Sequence, residues 1–275
     1  MTVWNAVLLG LVHGIAEFLP ISSSGHLSIV CNLFNISIDE HLFFNALLRL
    51  GTIISILIVY WQDVVRMFYE VISFAGLGPL VGQPKERCPA ARVFIMIVLA
   101  TLPLFLILPI NDMLGTLYDR SIFIGIAIIL TGCILFVSDK MTPGKKTGRS
   151  MTALDALIIG FCQCAATIPG LSRTGVTITA GIATGLRRDF AVNFSFLLSL
   201  PALLGASIMS FADAARTGVD WACVPAYLLG MAVAIVCGIG SIYLIRYISA
   251  KGKFGGFAYY CWVMGVLGII LSMIF

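Results

Sequence analysis

Five ionisable residues sit inside stretches otherwise built of apolar side chains: His13, Glu17, His26, Arg49 and Arg173. Placing a charge at the centre of a membrane costs at least about 2.5 to 3.5 kcal/mol even on the most lenient scale, so each needs a partner, water or a ligand. His13 and Glu17 are four residues apart and share one helix face, so they can act on one object. Glu17 runs into Phe-Leu-Pro, and past that break Ser22, Ser23 and Ser24 supply hydroxyls and N-cap candidates for a helix starting near Gly25, with His26 in its first turn. Ser172, Arg173, Thr174 and Gly175 repeat the design with a guanidinium inserted. Two Ser/Gly-rich turns leading into helices present backbone N–H groups and positive dipole ends, which suit a phosphate or diphosphate. Arg173 adds a planar fork that matches phosphate oxygens. A carboxylate beside an imidazole could hold a divalent cation, activate a nucleophile, or both. Arg49 either closes the anion site or balances Glu17. A Glu17–Arg173 ion pair with no ligand is the bland alternative.

The elements that position these groups must be membrane helices. Of 275 residues, 60% are hydrophobic and only 11% charged, against roughly 25% charged in a soluble domain, and the mean hydropathy is +1.04. Such a chain cannot clothe a water-facing surface, which excludes nucleic-acid binding, an aqueous dinucleotide-binding enzyme and a disulfide scaffold. The eight cysteines lie mostly in apolar runs and read as small buried hydrophobes. The N-terminal apolar stretch has no Lys or Arg before it and no small-residue cleavage site after it, so it is expected to remain in the mature chain. His41 reads as a solvated loop residue.

Hydropathy places six spans near 42–61, 93–110, 121–138, 189–212, 222–245 and 254–275. Stretches 2–34 and 153–186 are broken by Pro, Ser and Gly into halves too short to cross, which predicts two re-entrant helical hairpins. Gly10-xxx-Gly14 and Gly181-xxx-Gly185 read as helix packing. Thirteen of the 17 basic residues fall in segments 62–92, 139–151, 187–188 and 246–253, while Asp39, Glu40, Asp112, Asp119, Asp213 and Asp220 fall in the others. The positive-inside rule then puts the basic loops in the cytoplasm and both termini outside. A shift of 150 residues aligns the chain with itself at ten positions between 2 and 51, including Thr2/Thr152, Gly10/Gly160, Ser22/Ser172 and Gly25/Gly175. The expected architecture is a single all-α polytopic domain over 1–275, six transmembrane helices plus two re-entrant hairpins, with inverted-topology repeats at about 2–138 and 152–275. Such folds place their site where the broken helices meet.

At these motifs the chain resembles the undecaprenyl-diphosphate phosphatases of the bacitracin-resistance type. The resemblance is carried by Glu17-Phe-Leu-Pro-Ile-Ser-Ser-Ser-Gly-His26 and Pro169-Gly-Leu-Ser-Arg-Thr-Gly-Val-Thr177, with Leu48-Arg-Leu-Gly51 and Phe194-Ser-Phe-Leu-Leu198 in support. It implies a divalent-cation-dependent enzyme of the bacterial cytoplasmic membrane that removes the terminal phosphate of a C55 polyprenyl diphosphate at the outer face. That activity recycles the lipid carrier for peptidoglycan synthesis and confers bacitracin resistance. Glu17 would be the essential carboxylate, Ser23 and His26 would take part in phosphoryl chemistry, and Arg173 would bind the diphosphate. Ser22, Ser24, Ser172, Thr174, Thr177 and Arg49 would line it. The nucleophile is Ser23 or a water assisted by His26, with Ser23 slightly favoured. The implied cation is Mg2+ or Ca2+, held by Glu17 and the residue at position 13. The family's Glu or Gln there is His13 in this chain, and imidazole suits Zn, Mn or Fe-type ions better. Expected partners are the polyprenyl diphosphate and membrane lipids, with a homodimer left open. A polyprenyl-phosphate flippase using the same site is the alternative, since inverted repeats with broken helices are also transporter architecture.

Overall fold

The computed structural model describes residues 1–36, 41–74, 89–107, 109, 121–142, 144–252 and 254–274. Among them there is no strand beyond an isolated bridge between Lys146 and Leu186. The first broken segment forms α1 (Val3–Phe18) and α2 (Ser23–Phe34), followed by α3 (Leu42–Val59) and α4 (Trp61–Phe74). Next come α5 (Pro89–Thr101), which runs on as a 3-10 turn over Leu102–Leu106, and α6 (Ser121–Lys140). The second broken segment forms α7 (Ala153–Ala165) and α8 (Arg173–Ala183). It is followed by α9 (Arg188–Thr217), α10 (Val224–Ala250) and α11 (Gly255–Ile274).

Six of these are long and apolar enough to cross a membrane: α3, α5 with its 3-10 extension, α6, α9, α10 with the turn before it, and α11. This is a multi-pass membrane protein. Each predicted span is found, and several run past the expected ends, α9 to Thr217 and α10 to Ala250. The stretch 62–92, read from its charges as a loop, begins with helix α4. The chain turns at Tyr60, and Asp63, Arg66 and Glu70 give α4 a polar face that hydropathy alone scores as loop. Asp39, Glu40, Asp112 and Asp119 lie outside the described residues.

Close helix approach explains the glycines. A side chain at Gly10 or Gly14 would strike the Gly230 or Ala234 carbonyl, so α1 lies directly on α10. Gly160, the counterpart of Gly10 under the 150-residue shift, meets the Ala100 carbonyl, so α7 lies on α5 in the same manner. Helices α6 and α11 cross where Gly125 and Gly265 face one another's backbone, 2.8 and 2.6 Å from a Cβ placed on either. Gly181 packs on Ala191 as expected, but Gly185 does not continue that face. Helix α8 has ended, and Gly185 takes φ +90° in the turn to α9.

The basic segments gather at one end of the bundle. Buried Arg188 donates to the carbonyls of Ser138, Met141 and Gly252 and to Asp139. Asp139 in turn accepts from the N–H groups of Phe254 and Gly255 at the start of α11. Arg92 donates to the Met151 carbonyl and Lys146 to Asp155, so the end of 62–92 joins the same cluster.

Candidate active site

The two hairpin turns are built alike. Ser22 and Ser172 cap α2 and α8, each hydroxyl accepting from the N–H three residues on, Gly25 at 3.2 Å and Gly175 at 3.1 Å. An N-cap satisfies one donor of the first turn and leaves others without an intrahelical acceptor. The caps differ in backbone: Ser172 has φ −79°, whereas Ser22 sits at φ +74°, a conformation that costs a non-glycine residue about 1 to 3 kcal/mol.

The turns also touch. The Gly170 N–H donates to Ser24 Oγ at 3.2 Å, and Thr174 Oγ donates to the Glu17 carbonyl at 3.0 Å. Gly170 is held at φ +90° with the Ile124 carbonyl 2.6 Å from where a Cβ would be, so only glycine lets the second turn settle onto α6. Thr131 of α6 fixes the same turn by accepting from the Ser172 N–H at 3.1 Å.

At this junction Ser23 Oγ donates to Glu17 Oε2 at 2.5 Å, and Arg173 Nη1 lies 3.8 Å from Glu17 Oε1. Arg173 Nη1 is buried and makes no hydrogen bond within the described residues. Glu17 therefore faces a hydroxyl on one side and an unfilled guanidinium donor on the other. His13, one helical turn before Glu17, is 4% exposed, and both its ring nitrogens lack a hydrogen-bond partner.

Of the residues singled out in the sequence, Glu17, Ser22, Ser23, Ser24, Ser172, Arg173 and Thr174 meet at this junction. Thr177 is one turn along α8, its hydroxyl paired with Ser195 and bonded to the Arg173 carbonyl at 2.8 Å. Arg49 donates to the Ala206 carbonyl and to Ser210 Oγ at 2.6 Å, which ties α3 to α9. His26 is turned toward α11, where Nε2 meets the hydroxyl of Tyr260 at 2.8 Å. His41 is half-buried against Tyr227 rather than solvated, because Tyr227 Oη offers its Nδ1 a partner at 2.9 Å. Tyr260 and Thr131 carry no signal in the sequence, since each lies in an apolar run or among several residues of its type, whereas Ser195 lies in the Phe194–Leu198 motif without being singled out.

Among the described residues no three His, Cys, Asp or Glu side chains cluster as a ready metal site. One carboxylate with an unpartnered imidazole is not a complete cage for any cation, and of the two side chains only the carboxylate suits Mg2+ or Ca2+.

Residues 6–267 match the family described as bacitracin resistance protein BacA. A relative from Halothermothrix orenii, named undecaprenyl-diphosphatase, is 35% identical with 100% of both chains covered. One of the same name from Pelotomaculum thermopropionicum is 36% identical over 99% of this chain and 97% of its own. Another, from Methanosphaera stadtmanae, is 33% identical over 100% of this chain and 99% of its own. With the match running nearly end to end and the two capped turns meeting at Glu17 and Arg173, this chain belongs to the bacitracin resistance protein BacA family.

Proposed function

We propose that the protein is a membrane hydrolase that removes the terminal phosphate from undecaprenyl diphosphate, leaving undecaprenyl phosphate and inorganic phosphate. It thereby returns the lipid carrier to peptidoglycan synthesis and confers resistance to bacitracin. The observation that carries this reading is the meeting of two capped helix N-termini around an ion pair whose arginine retains an unused donor. Dipole ends, N–H groups and Arg173 favour the phosphoryl oxygens as their charge redistributes, the dominant contribution in phosphoryl transfer.

Ser23 is the nucleophile favoured by the hydrogen bond to Glu17. Its oxygen attacks the terminal phosphorus while Glu17 takes the hydroxyl proton, and the bond to the bridging oxygen breaks with its electrons leaving on undecaprenyl phosphate. Water assisted by His26 then attacks the same phosphorus, and Glu17 returns the proton to Ser23 as phosphate leaves. Thr174 holds the Glu17 backbone, and Ser24 holds the second turn against the first. Glu17 and His13 would hold a divalent cation, which when bound neutralises diphosphate charge. The gathering of the basic segments at one end supports cytoplasmic placement of that end, with both termini outside and the site reached from the outer face.

Phosphate release from undecaprenyl diphosphate by purified Glu17→Ala and Arg173→Ala is expected to fall at least about 100-fold. Near-normal turnover in either variant, or lipid movement across liposomes without phosphate release by the unmodified protein, overturns the reading.

A further inference from the structure

His26 is the one imidazole of the site whose hydrogen bonds are both filled. Its Nδ1 lies 2.8 Å from the Ser22 carbonyl. A carbonyl only accepts, so Nδ1 carries the proton and the lone pair of the neutral ring is at Nε2. That lone pair is met by Tyr260 Oη at 2.8 Å, and the two rings lie nearly parallel, 7° between planes and 5.5 Å between centroids, edge to edge. Tyr260 stands on α11, 234 residues away in sequence, and is 41% exposed while His26 is 7% exposed. The phenol thus covers the imidazole.

We propose that Tyr260 is a positioning residue for His26, holding one tautomer and one ring orientation through the proton cycle of the reaction. The inference rests on the phosphatase reading for its effect on turnover, but not for its effect on the ring. A phenol suits the task because its hydroxyl donates to neutral Nε2 and, by rotating, accepts from Nε2–H once the ring is protonated. An indole could only donate, and a phenylalanine could do neither. The Ser22 carbonyl that fixes the other nitrogen belongs to the strained residue of the first turn, so α11 and the α2 cap hold the ring from opposite edges. Nothing equivalent exists in the second hairpin, where the position aligned with His26 is Val176.

The test uses the full chain in detergent with 15N-labelled histidine. The protein has 3 histidines, so the spectrum is simple, and loss of one set of signals in His26→Gln assigns it. The unmodified protein is expected to show His26 as the Nδ1–H tautomer. Tyr260→Phe keeps the aromatic ring and removes only the hydroxyl. It is expected to move the His26 signals toward a mixture of tautomers while those of His13 and His41 stay in place. In the same variant kcat for undecaprenyl diphosphate should fall about tenfold at unchanged KM, the effect of losing one hydrogen bond to a group that acts in the transition state. An unmodified protein with His26 in the Nε2–H form, or a Tyr260→Phe protein with unchanged His26 signals, overturns the positioning. Changed signals with unchanged kcat overturn its role in the reaction. Failure of the phosphatase reading would show separately, as normal turnover in Glu17→Ala.

Discussion

The two hairpins share a frame and divide the chemistry. Both begin with a threonine cap, Thr2 or Thr152, and both place a glycine of their first helix against a backbone carbonyl of a distant span. Both restart with a serine that binds the N–H of a glycine three residues later. Within that frame the functional positions differ. Glu17 aligns with Thr167, whose hydroxyl is spent locally on the Cys164 carbonyl, and Ser23 aligns with Arg173. One turn therefore carries the carboxylate and hydroxyl, and the other carries the cation. In the proposed phosphatase, two turns with the same cap form an asymmetric site because the residues beside each cap differ.

The comparison is broken most severely by making one hairpin imitate the other. Glu17→Thr and Arg173→Ser each copy the aligned residue and should lower phosphate release at least about 100-fold while the protein still folds; turnover near that of the unmodified protein would mean the asymmetry is not functional. The next effect concerns the break itself, where Pro20 aligns with Gly170. Gly170→Ala places a methyl group 2.6 Å from the Ile124 carbonyl at φ +90° and should destabilise by about 2 kcal/mol, seen as a lower unfolding temperature in detergent. Ala at Ser22 or Ser172 should cost about 1 kcal/mol each through loss of the cap. Gly separates the two, because at Ser22 it relieves a positive φ and at Ser172 it relieves nothing. Ser22→Gly should unfold at a higher temperature than Ser172→Gly, and the opposite order would deny the strain.

The smallest effect lies at the mouths of the first helices, where Asn5 aligns with Asp155. Burial works to raise the Asp155 carboxyl, but hydrogen bonds from Lys146 and Thr152 outweigh it and hold the group below the usual carboxylate range. Its contribution to stability is present above the ordinary carboxylate pKa and is lost as pH falls through the lowered one. Since Lys146 is partly open to solvent, the amount is under about 1 kcal/mol. Asp155→Asn should remove that acid-side dependence, measurable as unfolding temperature against pH.

The spans were legible because twenty apolar residues have few other uses, and the first hairpin break because Pro20 interrupts a helix and a serine run offers a cap for the next. The self-alignment pairs Ser22 with Ser172, but the sequence alone leaves the first cap open among Ser22, Ser23 and Ser24, of which the structure uses Ser22. Helix α4 escaped because its polar face looks like loop to a hydropathy window. Tyr260 escaped because it is one of 8 tyrosines, in a helix with apolar residues all round, and only tertiary packing brings it to His26. The local chemistry of each turn could be read from the chain, but not how the turns meet: the Ser24–Gly170 and Thr174–Glu17 bonds join segments some 150 residues apart.

The contact of Gly10 with Gly230 carries a consequence for synthesis. Helix α1 leaves the ribosome well before α10, yet the surface it rests on belongs to α10, which ends at Ala250. At roughly 5 to 20 residues per second the hairpin bearing Glu17 waits on the order of 10 to 45 s for its seat. During that interval its half-length helix and polar turn must be sheltered by the insertion machinery or rest at the bilayer surface. The hairpin bearing Glu17 is thus made well before the surface that seats it.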